Sequence, residues 1–325
     1  MTARIPRRRL LALALAPACA LPARAQSPAW PSRPVKIVAP FPPGGFTDVV
    51  TRRLAQALSA VLGQPVVVEN RPGAGTNIGT EAVVQAAPDG HTLLMGTSSL
   101  AINRTLYGKL AYDAERDLRP LGTFATTGYT LLANTALPAD DVAQLIALAR
   151  AKPDGLSFGS SGNGAVNHLA GALFDALADV RLQHVPYKGS QAALTDLVGG
   201  QIQLFWASNL EAMPMLKAGR VKALGVTTRA PVPALPGIPP IGATVKGYEA
   251  VYWMGLYAPA KTPDPVADRL TAALRAAAAS PGMQEALRAS GAEAAFAGPA
   301  EAAALLARDT RVWGKLVRDS GARVD

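Results

Sequence analysis

The chain has 325 residues, 49% hydrophobic and only 17% charged, a balance that excludes a solvated disordered polymer. Its 30 glycines and 27 prolines stay below the roughly 25–30% share of low-complexity chains, and the length is that of about two domains. The net charge of +9 would point to nucleic acid if it were spread along the chain, but five of those charges are arginines in residues 1–25, where there is no acid, and the rest are scattered without interleaved aromatics.

Residues 1–25 read as an export signal. A basic start ends at Arg9, an apolar run covers Leu10 to Leu21, and Ala23-Arg24-Ala25 forms a small-residue cleavage site. The run Arg7-Arg8-Arg9-Leu10-Leu11 leaves both general secretory and twin-arginine export open. Cys19, the only cysteine, lies within the signal, so the mature chain needs no disulfide; Ala16-Pro17-Ala18 before it lacks the leucine of a lipid acceptor. No later apolar run reaches the ~20 residues that span a bilayer.

The mature sequence alternates strands and helices. Val35 to Ala39 predicts a strand, and Val50, Leu54, Leu58, Val61 and Leu62 a helix stopped by Gly63. Val66 to Val68 is a second strand, Ile78 to Ala86 a short helix and Thr92 to Met95 a third strand, a βαβαβ rhythm. The rhythm resumes with a helix at Val142 to Ala149, a strand at Leu156 to Phe158, a helix from Val166 to Leu177, a strand at Leu182 to Tyr187, a helix at Gln191 to Leu197 and a strand at Ile202 to Trp206. After strand Val221 to Val226 come a proline-rich connector, Pro231 to Pro240, an aromatic strand, Tyr248 to Tyr257, and an alanine-rich tail of two or three helices from Asp264. This predicts two α/β lobes, each with a parallel sheet, and a ligand between them at the carboxyl ends of the strands.

Three loops at strand ends carry the chemistry. Phe41 to Asp48 runs from a buried strand through two prolines, Gly44 and Gly45 into a helix start, where unpaired N–H groups and the helix dipole favour an anion. Ser160, Ser161, Gly162, Asn163 and Gly164 repeat the device in the second lobe, and Gly96-Thr97-Ser98-Ser99 follows the third strand. Such loops hold a small acid without an arginine, although each also serves as an ordinary strand-to-helix turn.

Enzymatic readings find less support. Gly159 to Asn163 approaches a nucleophile elbow, but Asn163 stands where its last glycine belongs, and His168 lies two helical turns beyond Ser161. His91 and His184 sit in separate elements, and no metal-ligand spacing or cofactor motif appears. Gly73 to Gly79 has dinucleotide-loop character, but its spacing is GxGxxxG and no acid ends the next strand, so it reads as a structural turn.

The blocks PFPPGGFTD (40–48), VVVENRPGAGTNIGTE (66–81), APDGHTLLMGT (87–97), SSGNG (160–164), HVPYKGS (184–190) and GLYAPAKTP (255–263) resemble, in order and spacing, the periplasmic solute-binding proteins of the tripartite tricarboxylate transporter system, the Bug family. The resemblance covers residues 30–325. It implies a two-lobed, type II-like α/β periplasmic binding protein without a cofactor, which closes on a small carboxylate and delivers it to membrane permease subunits. Carried over, the ligand loops are Phe41, Pro43, Gly44, Gly45, Phe46, Thr47 and Asp48 with Thr97 and Ser98, and Ser160 to Gly164 with His168, Tyr187 and Trp206. Lys188 belongs to the YKG block. Two departures, Trp206-Ala207 in place of a Phe-Asp pair and the bulk of Phe46, favour an aromatic or apolar acid over citrate. The implied lobes are residues 26–123 with 225–260, and 124–224, with crossovers near 121–126 and 224–228 and helices over 261–325. A hydrolase acting through Ser161 and a ligand-dependent partner of a membrane sensor domain are the alternatives.

Overall fold

The computed structural model describes residues 30–322; the expected export signal, with Cys19, lies outside them. In chain order the elements are β1 (Val35–Ala39), α1 (Phe46–Leu62), β2 (Val66–Asn70), α2 (Asn77–Val84), β3 (Thr92–Thr97), α3 (Ser99–Leu106), α4 (Ala114–Asp117), β4 (Leu118–Asn134), α5 (Val142–Ala151), β5 (Ser157–Ser160) and α6 (Val166–Ala178). They continue with β6 (Gln183–Pro186), α7 (Ser190–Gly199), β7 (Leu204–Ser208), α8 (Asn209–Lys217), β8 (Val221–Val226), β9 (Val251–Pro259), α9 (Asp264–Ala278), α10 (Pro281–Ala289), β10 (Ala292–Ala297) and α11 (Pro299–Ser320).

Helix α1 shows how local sequence sets an element. Val50, Leu54, Leu58 and Leu62 recur at helical spacing and are buried, and Gly63, at φ 68°, ends the helix by returning its N–H to the Ser59 carbonyl. Beside it, β1 is parallel to β2 and β3, buried as a continuous apolar strand must be. The sequence rhythm predicted wholly parallel sheets, and the structure corrects this. β9 returns antiparallel between β3 and β4, and β10 pairs antiparallel with the far side of β4. In the second lobe β5, β6 and β7 are parallel, while β4 lies antiparallel to both β7 and β8.

The 17-residue strand β4 belongs to both lobes. Residues up to Gly128 pair with β9, and from Tyr129 the partners become β7 and β8. The first crossover is therefore at Gly128–Tyr129, and residues 124–128, expected in the second lobe, still pair with first-lobe strands. The segment 227–250, expected with the first lobe, packs on the second: Tyr248 donates its hydroxyl hydrogen to the Ala170 carbonyl at 3.0 Å, and Gly225 lies against Ile241 and Val142. The C-terminal tail holds three helices and also β10. Its last helix, α11, contacts α3, β4 and α6, bridging both lobes.

Candidate functional site

A cleft of about 480 Å³ lies between the lobes. The first lobe contributes Phe41, Gly73, Gly75, Thr76, Ser99, Asn103 and Tyr107, and the second contributes Ser161 to Val166. Tyr129 and Tyr252 line it beside the crossover. No lysine, arginine, histidine, aspartate or glutamate is among the lining residues. The lobes touch at Gly164, where a Cβ would stand 2.1 Å from Leu106 Cδ2.

The structure brings Phe41 together with Ser161, Gly162, Asn163 and Gly164, as the loops predicted. Of the remainder of the first loop only Pro42 lines the cavity. Pro43, Gly44 and Gly45 are exposed beyond it, and Phe46 rests edge-on against Tyr252 at 6.3 Å. Thr47 is buried with its hydroxyl 2.9 Å from Tyr252 Oη, which fixes that ring. Asp48 faces its own lobe: Oδ2 accepts from Gly44 N–H at 2.9 Å and Arg52 Nε at 3.0 Å, and Oδ1 accepts from the Asn70 amide at 2.7 Å. Burial pushes its pKa upward, but Arg52, Gly44 and Asn70 together hold it below the usual carboxylate range. Asp48 thus braces the loop, and both its oxygens are occupied.

Four other expected site residues stand behind the cleft. Thr97 is buried beside Tyr252, and Ser98 joins α3 to β9 by donating to the Val251 carbonyl and accepting from Trp253 N–H. Trp206 does not reach the cleft. It is fully buried, edge-on to Phe158 at 5.4 Å, and belongs to the second-lobe core. Tyr187 also stands outside, donating to Asp196 Oδ2 at 2.7 Å while its N–H bonds the Ser160 carbonyl.

The glycine-serine loop is supported from below by two histidines. Ser160 is buried with Oγ 2.7 Å from His184 Nε2, and His168 Nδ1 accepts from Gly164 N–H at 3.0 Å. The two imidazoles stack with centroids 3.7 Å apart. Burial lowers His168 to about 4; burial, and then the neighbouring His168, lowers His184 to about 3, so both are neutral at pH 7. Ser161 Oγ donates to Asn167 Oδ1 at 3.1 Å, an amide that cannot take its proton. His168 spends its unprotonated nitrogen on Gly164, which leaves Ser161 without a base among its hydrogen-bond partners.

Sequence reasoning missed a third seat. Gly73, Ala74, Gly75 and Thr76 all have positive φ, at 133°, 45°, 58° and 89°, a costly conformation for alanine and threonine. Asn103 holds this loop, donating to Gly75 O at 2.6 Å, Thr76 Oγ1 at 3.2 Å and Asn77 Oδ1 at 2.8 Å. The segment read as a structural turn therefore lines the cleft. The tyrosines 107, 129 and 252 were also unmarked, since nothing local brings three distant stretches together.

Ser99 at the start of α3 and Val166 at the start of α6 stand in the cleft wall, whereas the first turn of α1 does not reach it. Residues 50–322 match the model of the tripartite tricarboxylate transporter family receptor. The chain belongs to that family. BugT of Bordetella pertussis strain Tohama I is 34% identical over 304 residues, 91% of either chain. Among solved structures, an R. palustris protein with adipate is 34% identical with TM-score 0.80, covering 91% of this chain and all of that one. The malate-bound MatC of Rhodopseudomonas palustris is 31% identical with TM-score 0.75, covering 88% and 99%. The fold is the two-lobed, type II-like α/β fold of periplasmic binding proteins.

Proposed function

We propose that this family receptor is a periplasmic protein, released from its export signal near Ala25, that captures one small carboxylate in the interlobe cleft and delivers it to the permease subunits of a tripartite transporter. The observation that carries the reading is a cleft walled by both lobes, lined by the neutral polar side chains of Thr76, Asn103, Ser161 and Asn163 and by no charged side chain. Neutral donors bind an anion reversibly, and the absence of a fixed cation suits a carrier that must release its cargo. The adipate and malate bound by related receptors support the class of solute.

The test is a melting screen of the mature protein against mono-, di- and tricarboxylates, each paired with its methyl ester. A ligand at a hundredfold excess over Kd stabilises the bound form by about 2.7 kcal/mol. The right acid is expected to raise Tm by about 5 °C or more, and its ester by little. Equal shifts from acid and ester would refute carboxylate capture, and alcohol released from the ester would establish hydrolysis instead.

A further inference from the structure

The cleft walls differ in character. Ser161, Asn163, Thr76 and Asn103 gather polar groups, while Phe41, Leu106, Tyr107, Tyr129 and Tyr252 present apolar surface. Tyr252 is already engaged, its hydroxyl on Thr47 and its ring on Phe46. Tyr107 and Tyr129 are not: among the described residues neither ring packs on another aromatic ring and neither hydroxyl has a hydrogen-bond partner. One ring comes from the end of α3 and the other from β4 at the crossover, so the two wall the cavity from different elements. A second carboxylate against these rings would exchange its water for two phenol hydroxyls at most, whereas a flat apolar body gives up no hydrogen bond there and gains ring contact.

We infer that the cargo is an aromatic monocarboxylate, its ring against Tyr107 and Tyr129 and its carboxylate at the Ser161–Gly164 loop, an inference that rests on the carboxylate reading above. The two tyrosines are then specificity residues, acting through their rings.

Titration calorimetry with benzoate, cyclohexanecarboxylate, adipate and citrate tests it. Benzoate is expected to bind most tightly, about three- to tenfold ahead of cyclohexanecarboxylate, which has the same carbon count and carboxylate but no flat π face. Tyr107→Leu and Tyr129→Leu should each erode that preference, and Tyr107→Phe and Tyr129→Phe should retain it, with melting curves confirming that each variant is folded. Adipate or citrate binding more tightly than benzoate, or a preference unmoved in both leucine variants, would overturn the inference and leave carboxylate capture standing. Methyl benzoate binding as tightly as benzoate would remove the carboxylate reading itself and this inference with it.

Discussion

Gly164→Ala separates two costs that the structure places at one residue. The backbone there has φ 73°, and an L side chain in that region costs about 1–2 kcal/mol however the lobes are arranged. That strain appears as a fall in Tm, about 2–8 °C at the 2–4 °C per kcal/mol typical of large domains. The added Cβ also meets Leu106 at 2.1 Å for Cδ2, 2.7 Å for Cδ1 and 2.9 Å for Cγ, across the cleft. Overpacking of this kind costs about 1–3 kcal/mol, and here it opposes only those arrangements in which the lobes meet. Affinity for the acid found by the melting screen should therefore fall about 5- to 150-fold. Calorimetry measures it, and small-angle scattering of the ligand-free variant should show a larger radius of gyration. Gly164→Ala combined with Leu106→Ala should restore affinity to that of Leu106→Ala alone and leave the Tm loss in place. Wild-type affinity in Gly164→Ala, or no recovery in the double variant, would refute the interlobe contact as the source.

The histidine pair gives a pH dependence of definite sign. Folded His168 and His184 take up protons only near 4 and 3 and the unfolded chain near 6.5, so stability is fully present above 6.5 and falls on acidification, by on the order of 3 kcal/mol for His168. Burial raises Asp175 to about 7, so its contribution is present below 3.8 and lost as pH rises toward 7. Urea unfolding between pH 4.5 and 6 should thus take up about one net proton, and Asp175→Asn should raise this to about two; a stability that declines with rising pH in this window would contradict the assignment. Asn103→Leu, which takes the shared donor from Gly75, Thr76 and Asn77, should cost about 2–4 kcal/mol in denaturant unfolding and weaken ligand binding, whereas an unchanged midpoint would show that the loop holds its own conformation. Because no charged side chain lines the cleft, affinity should change less than about twofold from 50 to 500 mM salt, and Lys188→Ala should bind as wild type; a steep salt dependence would reveal a cation at the ligand.

The elements most legible in the sequence were those whose signals are local. The periodic face of α1, its glycine stop and the buried run of β1 announce themselves within a few residues, and the ligand loops follow because they lie between such elements. β4 was hidden by Pro120 and Gly122, which read as turn punctuation and stand instead where its register with β9 shifts. β10 is the alanine-rich run AEAAFA, a helix former by propensity, drawn into a strand by pairing with β4. Trp206 was placed in the cleft by the family resemblance alone; β7 is buried on both faces, and alternation cannot then tell which side a residue occupies. Asn103 contacts a loop 26 to 28 positions earlier, a relation that no spacing rule contains.

Gly128, the last residue of β4 to pair with β9, carries a consequence for motion. A Cβ there would lie 2.6 Å from Thr228 Cγ2 and 3.1 Å from Thr227 Oγ1, and Thr227 itself bonds Tyr129 and Ala250 on either side. The outgoing and returning chains are thus fastened together where they cross, so that the two crossovers would turn as one hinge and not as separate linkers. On the proposed function, ligand capture would be a swing about this fastening, and a surface formed by both lobes would then differ in shape between loaded and empty receptor.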